Sequence, residues 1–392
     1  MRYISFKQKG EVSLFVVIFA TLLLTIVTVS FVRIMLHNQQ QASTIDLSQS
    51  AFDSAQAGVE DAKRAILHYQ TVCGDPSKVN ECNKAKSQIS PSVCNAFAAV
   101  GGLNDISDAS INTGKEVIIQ NGSSTNSLDQ AYTCTTITMN TPDYIGTLDK
   151  DGSELIPLFG TDSTFDSVQI NWFTKANYST GNPILRNTSG VPLLSSWPQN
   201  MPPVLRAQLI QFSSNGFTLG NLDDNGSGQS DTNTVFLYPS QVGITQYAFA
   251  NDNRRSVNPA PVGFPLLVKC QSDLTSNIYA CSVNLTLPTP VGAGNRTAFL
   301  RLSAAYNSAT YQVLLKSPTG AVNFNGVQPI IDSTGRASDM FRRVQARVKL
   351  NSNFPYPNAE IFTSGNLCKN FLVIDTNANN EFATNNPTVC TP

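Results

Sequence analysis

Histidine is scarce in this chain, and its scarcity limits the chemistry that the protein can perform. Only His37 and His68 occur among the 392 residues, and no histidine follows His68. Ser-His-Asp catalysis, Cys-His catalysis and a His-ligated zinc site are therefore excluded from the region after His68. The HExxH motif, the P-loop and the dinucleotide-binding glycine fingerprint are also absent. We expect no enzyme activity, and the one catalytic class left open is a hydrolase that uses paired carboxylates.

Charged residues are also few: they make up 14% of the chain, and the net charge is −1. Such a balance gives no overall field that would attract nucleic acid. Two basic clusters occur, Arg254-Arg255 and a group of Arg342, Arg343, Arg347 and Lys349. Arg347 and Lys349 alternate with apolar residues, which predicts the exposed face of a strand. Because single-stranded nucleic acid requires a longer basic stripe with interleaved aromatics, no nucleic-acid partner is indicated.

Proline is absent before Pro76, and this stretch contains the longest apolar run of the chain. The 21 residues from Val12 to Val32 carry no charge. As a helix they would be ~31 Å long, enough to cross the hydrocarbon core of a membrane. Lys and Arg residues precede the run, which predicts a cytoplasmic N-terminus and export of the rest of the chain. No small-x-small cleavage site follows, so an ordinary secretory signal is disfavoured, whereas a plain signal anchor stays open.

The helical pattern continues beyond the apolar run. Four apolar residues lie seven apart, at Ile45, Phe52, Val59 and Ile66. Ala55, Ala62 and Tyr69 fill the intervening apolar positions and complete a narrow stripe on one face. We therefore predict one continuous helix of ~85 Å from Val12 to Tyr69. Its outer half is expected to bury the stripe against the globular part of the same chain.

All eight cysteines follow this predicted helix, at Cys73, Cys82, Cys94, Cys134, Cys270, Cys281, Cys368 and Cys390. An even number in an exported region favours disulfides, although eight cysteines allow 105 pairings. Cys270 and Cys281 each lie on the apolar face of one of two successive alternating strands, so we predict a bridge between them. Cys368 with Cys390 is the expected C-terminal pair. The first four cysteines are expected to form two bridges whose order the sequence leaves open.

From about Ser167 the apolar pattern alternates with period two. Four clear examples are Val168–Trp172, Leu205–Leu209, Ala298–Tyr306 and Val344–Leu350. Half-buried strands separated by loops rich in Asn, Gly and Pro favour antiparallel sheet. Residues 71–140 show no such period and are expected to be irregular, with one short helix at about 93–100. The predicted fold class is α+β, with a long N-terminal helix and a disulfide-stapled, mainly antiparallel β head.

Two loops have oxygen donors at spacings that suit a calcium ion. Asp223, Asn225, Ser227 and Asp231 occupy positions 1, 3, 5 and 9 of a loop with Gly at position 6, as in an EF-hand. Position 12 is Thr234, so the bidentate Glu is missing. A second loop has Asp375, Asn377, Asn379 and Glu381 without the Gly. Because such turns also form for conformational reasons alone, calcium remains a hypothesis and no other cofactor is expected.

The amino-acid sequence of the N-terminal region resembles that of a prepilin of the type IV pilus system. Lys9-Gly10 is similar to the Lys/Arg-Gly site cut by prepilin peptidase, and Ala51–Ala62 (AFDSAQAGVEDA) resembles the helix that follows the membrane in PilX-type minor pilins. The resemblance is specific over about residues 7–68. It implies cleavage between Gly10 and Glu11, storage in the membrane and assembly of the helix with other pilins.

The chain departs from the pilin pattern at one position. Family members usually carry Glu at the fifth residue after the cleaved glycine, and this chain has Phe15. Tip pseudopilins of the related secretion system also lack this Glu, so the departure favours a rare subunit at a filament tip. The organisation that follows is a leader (1–10), a membrane or filament-core helix (11–36), its amphipathic continuation (37–70), a cysteine-rich irregular region (71–140), a β-rich head (141–350) and a C-terminal cysteine loop (351–392).

The function expected from this resemblance is that of a minor type IV pilin or large pseudopilin that primes assembly, caps the filament or adheres to a surface. Its expected partners are other pilins, prepilin peptidase, the membrane and a surface ligand. It would span the membrane once with a cytoplasmic N-terminus before assembly, and be extracellular in the pilus. The alternative is a single-pass membrane-anchored binding protein, for example one that recognises carbohydrate.

Overall fold

The computed structural model describes residues 11–89, 110–111, 116–120, 129–161, 164–186, 194–213, 232–249, 265–292 and 296–350. The fold is α+β, as predicted, with one long N-terminal helix and a mainly antiparallel β head. The chain divides into two compact units. Residues 1–138 and 330–348 form the helix unit, and residues 139–329 and 349–392 form the head unit.

Helix α1 of the helix unit runs from Glu11 to Cys73 without interruption. Residues next to its C-terminus end the helix. The Gly74 N–H donates to the Gln70 carbonyl at 2.9 Å, and Pro76 follows two residues later. A 3₁₀ turn at Pro76–Lys78 leads into helix α2, Val79–Gln88. The Asp75 carboxylate caps this turn by accepting hydrogen bonds from the Ser77 hydroxyl and N–H. These bonds hold the pKa of Asp75 below its usual range.

The helix unit contains one sheet, called sheet I, with strand order β1-β2-β3-β15-β16. Its strands are β1 (Ser110–Ile111), β2 (Val117–Gln120), β3 (Gln130–Thr141), β15 (Phe324–Ala337) and β16 (Met340–Arg347). β3 and β15 also contribute residues to the head unit. The hairpin β15–β16 comes from the far end of the described chain, so sheet I joins segments that lie about two hundred residues apart, as the bond from Thr133 Oγ1 to the Thr334 carbonyl shows.

The head unit is built on two further sheets. Sheet II has the order β10-β8-β7-β12-β5, and sheet III has the order β14-β13-β6-β11-β9 with β4 also paired to β13. The strands are β4 (Tyr144–Leu148), β5 (Ser153–Pro157), β6 (Phe165–Thr174), β7 (Val204–Ser213), β8 (Thr232–Ser240), β9 (Gln246–Ala248), β10 (Leu266–Lys269), β11 (Tyr279–Val291), β12 (Arg296–Ala305), β13 (Ala309–Ser317) and β14 (Gly320–Val322). Among the described strands, pairing is antiparallel except for β8 with β10 and β9 with β11.

Alternation of side chains along these strands builds the core of the head. Val168, Ile170 and Trp172 of sheet III share one hydrophobic cluster with Leu205 and Leu209 of sheet II, and all five are buried. The alternating residues of β12 are buried through Ala304, but the strand ends at Ala305. Tyr306, predicted to continue it, adopts a φ of 79° in the turn that follows.

Two predictions about organisation are wrong. Residues 71–140, expected to be irregular, contain helix α2 and strands β2 and β3, and the short helix expected at about 93–100 lies outside the described residues. The predicted head, 141–350, also included residues 330–348, which belong to the helix unit. Local periodicity identifies a strand, but it does not identify the sheet that the strand joins.

Candidate functional site

The candidate functional site is helix α1, whose two halves have different surroundings. From Leu14 to Leu36 every large apolar side chain is exposed, including Phe15, Phe19 and Leu24. This part of the helix is long and apolar enough to span a membrane. It contains Phe15, and Glu11 is the first residue that the structure describes. Gly10, the other predicted processing residue, lies outside the described part of the chain.

The polar groups within this apolar half are satisfied inside the helix. The hydroxyls of Thr21, Thr25 and Ser30 donate to backbone carbonyls three or four residues earlier, at 2.8–2.9 Å. Thr28 donates to the Leu24 carbonyl in the same way. Such bonds matter in lipid, where no water is present to satisfy a hydroxyl. From Leu14 to Leu36, where the side chains are described, all four hydroxyls are therefore satisfied within the helix.

The second half of α1 packs on sheet I through small residues. Its buried positions include Ala51, Ser54, Ala55, Gly58, Ala62 and Ala65. At Gly335 of β15 a Cβ atom would lie 2.1 Å from the Ala55 backbone nitrogen and 2.2 Å from the Ala51 carbonyl oxygen. At Gly58 a Cβ would lie 2.3 Å from Ser333 Oγ. The backbones of the helix and the strand thus approach as closely as glycine allows.

The predicted packing stripe is only partly correct. Val59 and Ile66 are buried, with exposures of 5% and 0%, and so are Ala55 and Ala62. Ile45 and Phe52 are instead 60% and 38% exposed. A seven-residue repeat drifts by ~20° per heptad around a straight helix, so a stripe of four such residues leaves the contact face at one end. Small residues spaced three or four apart, from Ala51 to Ala65, were the sequence signal for the true face.

Two polar contacts fix the helix against sheet I, and a third joins two strands of the sheet beneath it. The buried Tyr132 hydroxyl donates to Asp61 Oδ2 at 2.6 Å. Burial, together with this bond to a carboxylate, raises the pKa of Tyr132 well above its usual range. Thr135 Oγ1 and Ser333 Oγ are 3.1 Å apart beneath Gly58, and Arg342 Nε donates to Ser48 Oγ at 2.8 Å.

The opposite face of sheet I carries ion pairs. Arg336 donates to Glu116 at 2.9 Å and to Asp129 at 2.7 Å, and these bonds raise the pKa of the guanidinium. Arg343 pairs with Asp332. Arg347 is exposed on β16, as the alternating pattern predicts, and Lys349 is also exposed but follows the end of the strand, which was predicted to run to Leu350. Arg342 and Arg343 are exposed as well. Arg254-Arg255 lie outside the described residues.

Disulfides close the end of α1 and join the sheets of the head. Cys73 at the end of α1 is bonded to Cys82 of α2, which settles one of the pairings that the sequence left open. Cys270 is bonded to Cys281, the predicted pair, and both are buried between β10 of sheet II and β11 of sheet III. Cys134 is also disulfide-bonded. Cys94, Cys368 and Cys390 lie outside the described residues.

The possible metal sites cannot be placed in this way. Asp223, Asn225, Ser227 and Asp231 lie outside the described residues, as does the second loop from Asp375 to Glu381. Across the residues that the structure does describe, no group of three or more His, Cys, Asp or Glu side chains is arranged to hold a metal ion. Calcium therefore stays a hypothesis.

Comparison of the chain with known protein families, with curated proteins and with solved structures finds no match.

Proposed function

We propose that the protein is a minor pilin or large pseudopilin of a type IV pilus-like filament. The observation that carries the proposal is the division of α1 into an uncovered apolar half and a half that is packed on sheet I. A helix that only anchored a domain would need to be apolar across the bilayer, but it would not need to continue as the central packing element of that domain. In a pilin one helix has both roles: its first half is stored in lipid and later packs among the helices of neighbouring subunits, and its second half packs within the subunit's own domain.

The N-terminal residues add support from the sequence. Lys9-Gly10 resembles a prepilin processing site, and Glu11 is the first residue that would remain after cleavage. Phe15 removes the charge that most pilins carry near the new N-terminus. A subunit without this charge would lack an ion pair to a neighbouring subunit, which suits a rare subunit at the tip better than a repeated subunit of the shaft.

The test is processing by prepilin peptidase. We expect full-length protein produced with the peptidase to lose residues 1–10, and protein produced without it to keep them. Intact-mass measurement and N-terminal sequencing of the membrane-extracted protein show the difference. Gly10→Val should block the loss, whereas the control Ala20→Val, at an exposed position of the apolar half, should leave processing unchanged.

The alternative function is a single-pass surface binding protein held by an uncleaved anchor. Exposure of the apolar half of α1 fits this function equally well, because lipid alone would cover it. It differs in predicting an intact Met1 whether or not the peptidase is present. That result would contradict the pilin proposal.

A further inference from the structure

A row of polar side chains crosses the outer face of sheet III in the head unit. It comprises Ser282 of β11, Gln169 and Asn171 of β6, Gln312 of β13, and Asp143, which lies just before β4. These five residues are called the amide ladder. They alternate with inward-facing core residues such as Ile170, Val283 and Val313, so the ladder lies on the face directed away from the core.

Strand pairing places the members of the ladder side by side. Asn171 is the register partner of Ser282 on one side and of Gln312 on the other. Gln312 is in turn the partner of Ile145 on β4. With adjacent strands ~4.8 Å apart, the row spans four strands and ~14 Å. Along this distance Ser282 is exposed and Gln169 and Gln312 are half-buried, whereas Asn171 and Asp143 are buried.

The orientation of each amide group in the ladder is fixed by the carboxylate of Asp143 at one end. A carboxylate can only accept hydrogen bonds, so Gln312 must present its amide nitrogen to Asp143, and it does so at 2.6 Å. The Gln312 oxygen then accepts from Asn171 Nδ2 at 2.9 Å. The Asn171 oxygen accepts from Gln169 Nε2 at 3.0 Å, and Gln169 Nε2 also lies 3.1 Å from Ser282 Oγ. Each amide therefore has one determined orientation.

These contacts leave part of the hydrogen-bonding capacity of the ladder unused. Each primary amide has two N–H donors and an oxygen that accepts. One N–H of Asn171, one N–H of Gln312 and the oxygen of Gln169 take no part in the bonds above. Asn284 is the register partner of Gln169, and its buried Oδ1 atom has no hydrogen-bond partner. The unused N–H groups thus belong to Asn171 and Gln312 and the unused oxygen to Gln169, so the row offers both donors and acceptors.

The charge of the ladder limits the kinds of ligand that it could bind. Its only charged member is Asp143, a carboxylate 7% exposed at one end. A largely buried negative charge beneath the face disfavours an anionic ligand, and the ladder supplies no cation to attract one. Holding Gln side chains in one conformation also costs entropy that a row of Thr residues would avoid.

We propose that the amide ladder binds a neutral oligosaccharide. The hydroxyls of a sugar both donate and accept, so they match the unused N–H groups of Asn171 and Gln312 and the unused oxygen of Gln169, none of which carries a charge. This inference supplies a ligand for the head, and it does not depend on processing of the leader or on assembly into a filament.

The test is direct binding by the full chain, purified in a polyoxyethylene detergent that carries no sugar headgroup. The probes are cellohexaose, maltohexaose and chitohexaose, with oligogalacturonate and a heparin fragment as anionic counterparts. We expect at least one neutral hexasaccharide to bind in calorimetric titration and neither anion to bind. Failure of all three neutral probes at millimolar concentration, or equal binding of the anions, would overturn the proposal.

A double variant then assigns the binding to the ladder. Gln169→Met with Ser282→Ala removes both partners of one contact together and leaves Asn171 Oδ1 as the one group that loses its donor. We expect binding to weaken about tenfold, because two or three hydrogen bonds to the ligand are lost, while the protein stays folded with a modestly lowered unfolding midpoint because Asn171 Oδ1 loses its donor. Gln208→Met on sheet II is the matched control and should bind normally. A lowered unfolding midpoint with unchanged binding would make the ladder structural and contradict the inference.

Discussion

At the scale of single residues, the contact between α1 and sheet I depends on the absence of side-chain atoms. Gly335 faces the helix backbone at Ala51 and Ala55, and Gly58 faces Ser333 and Thr135. A glycine within a helix costs about 1 kcal/mol relative to alanine, so Gly58 is unfavourable for the helix alone. The close approach of helix and sheet accounts for its presence.

Substitution of Gly335 by alanine tests this contact. The added Cβ would meet backbone atoms of α1, which cannot rotate away as a side chain can. We expect Gly335→Ala to lower the free energy of unfolding by about 2–3 kcal/mol, the usual cost of overpacking a core. Denaturant titration of the detergent-solubilised protein, followed by circular dichroism, measures the change. Gln345→Ala, at an exposed position of β16, is the control and should change stability little. Equal stability of the two variants would contradict the close approach.

Buried tyrosines predict how stability depends on alkaline pH. Burial is the main reason why the pKa values of Tyr132, Tyr144 and Tyr311 are raised. Hydrogen bonds to Asp61 and Glu154 add to the effect at Tyr132 and Tyr144 respectively, and the charge of Glu154 adds to it at Tyr311. A group whose pKa is higher in the folded state stabilises the fold below its unfolded pKa of about 10 and destabilises it progressively above that pH.

We therefore expect the free energy of unfolding to fall above about pH 10, by up to ~1.4 kcal/mol per pH unit for each of these tyrosines. The measurement is a set of denaturant titrations at increasing pH. Tyr132→Phe should lose stability at neutral pH, because the Asp61 carboxylate loses its donor, and its stability should decline less steeply with alkaline pH. A decline as steep as that of the unchanged protein would show that Tyr132 ionises freely in the fold.

At the scale of elements, the sequence predicts whether a segment forms a helix or a strand better than it predicts what that segment packs against. The uninterrupted helix and the alternation of β6, β7 and β11 follow from the absence of Pro and from local periodicity. The contact face of α1 does not follow from the sequence in this way. The large apolar residues suggested a heptad stripe, whereas the face that packs on sheet I consists of the smallest residues. Likewise, β15 and β16 carry no local mark that places them beside β3 and not in the head.

The two ends of the predicted stripe provide a matched test of the contact face. Ile66 is fully buried and Ile45 is 60% exposed on the same helix, and both are isoleucine. We expect Ile66→Ala to cost about 2–4 kcal/mol in the free energy of unfolding, and Ile45→Ala to change it by at most about 0.5 kcal/mol. Denaturant titration of both variants measures this. Similar costs would mean that the heptad stripe, and not the small-residue face, packs on the sheet.

The amide ladder belongs to the same scale, and the sequence did not indicate it. Gln169, Asn171 and Gln312 are ordinary polar positions of alternating strands when read one at a time. Only the order of sheet III, in which β6 lies between β11 and β13, brings them into one row. The apolar half of α1 was predictable because it lies within one continuous segment, whereas the ladder depends on contacts over more than a hundred residues.

At the scale of the whole molecule, one helix carries both an uncovered apolar surface and the packing face of a folded unit. Exposed apolar area of this extent must be covered in the cell by lipid or by protein. The proposed function requires both covers in succession, first the membrane and then the helices of other subunits. An anchored surface protein would need only the first.

Crosslinking from the apolar half of α1 distinguishes these fates most directly. Leu24 is 68% exposed, and the described cysteines are all disulfide-bonded, so a cysteine introduced as Leu24→Cys offers a defined thiol. In cells that assemble filaments, we predict that sheared filament fractions contain the Leu24→Cys protein joined to other pilin subunits. Recovery of all Leu24→Cys protein in the membrane fraction, with no such adduct and the leader still attached, would contradict the account.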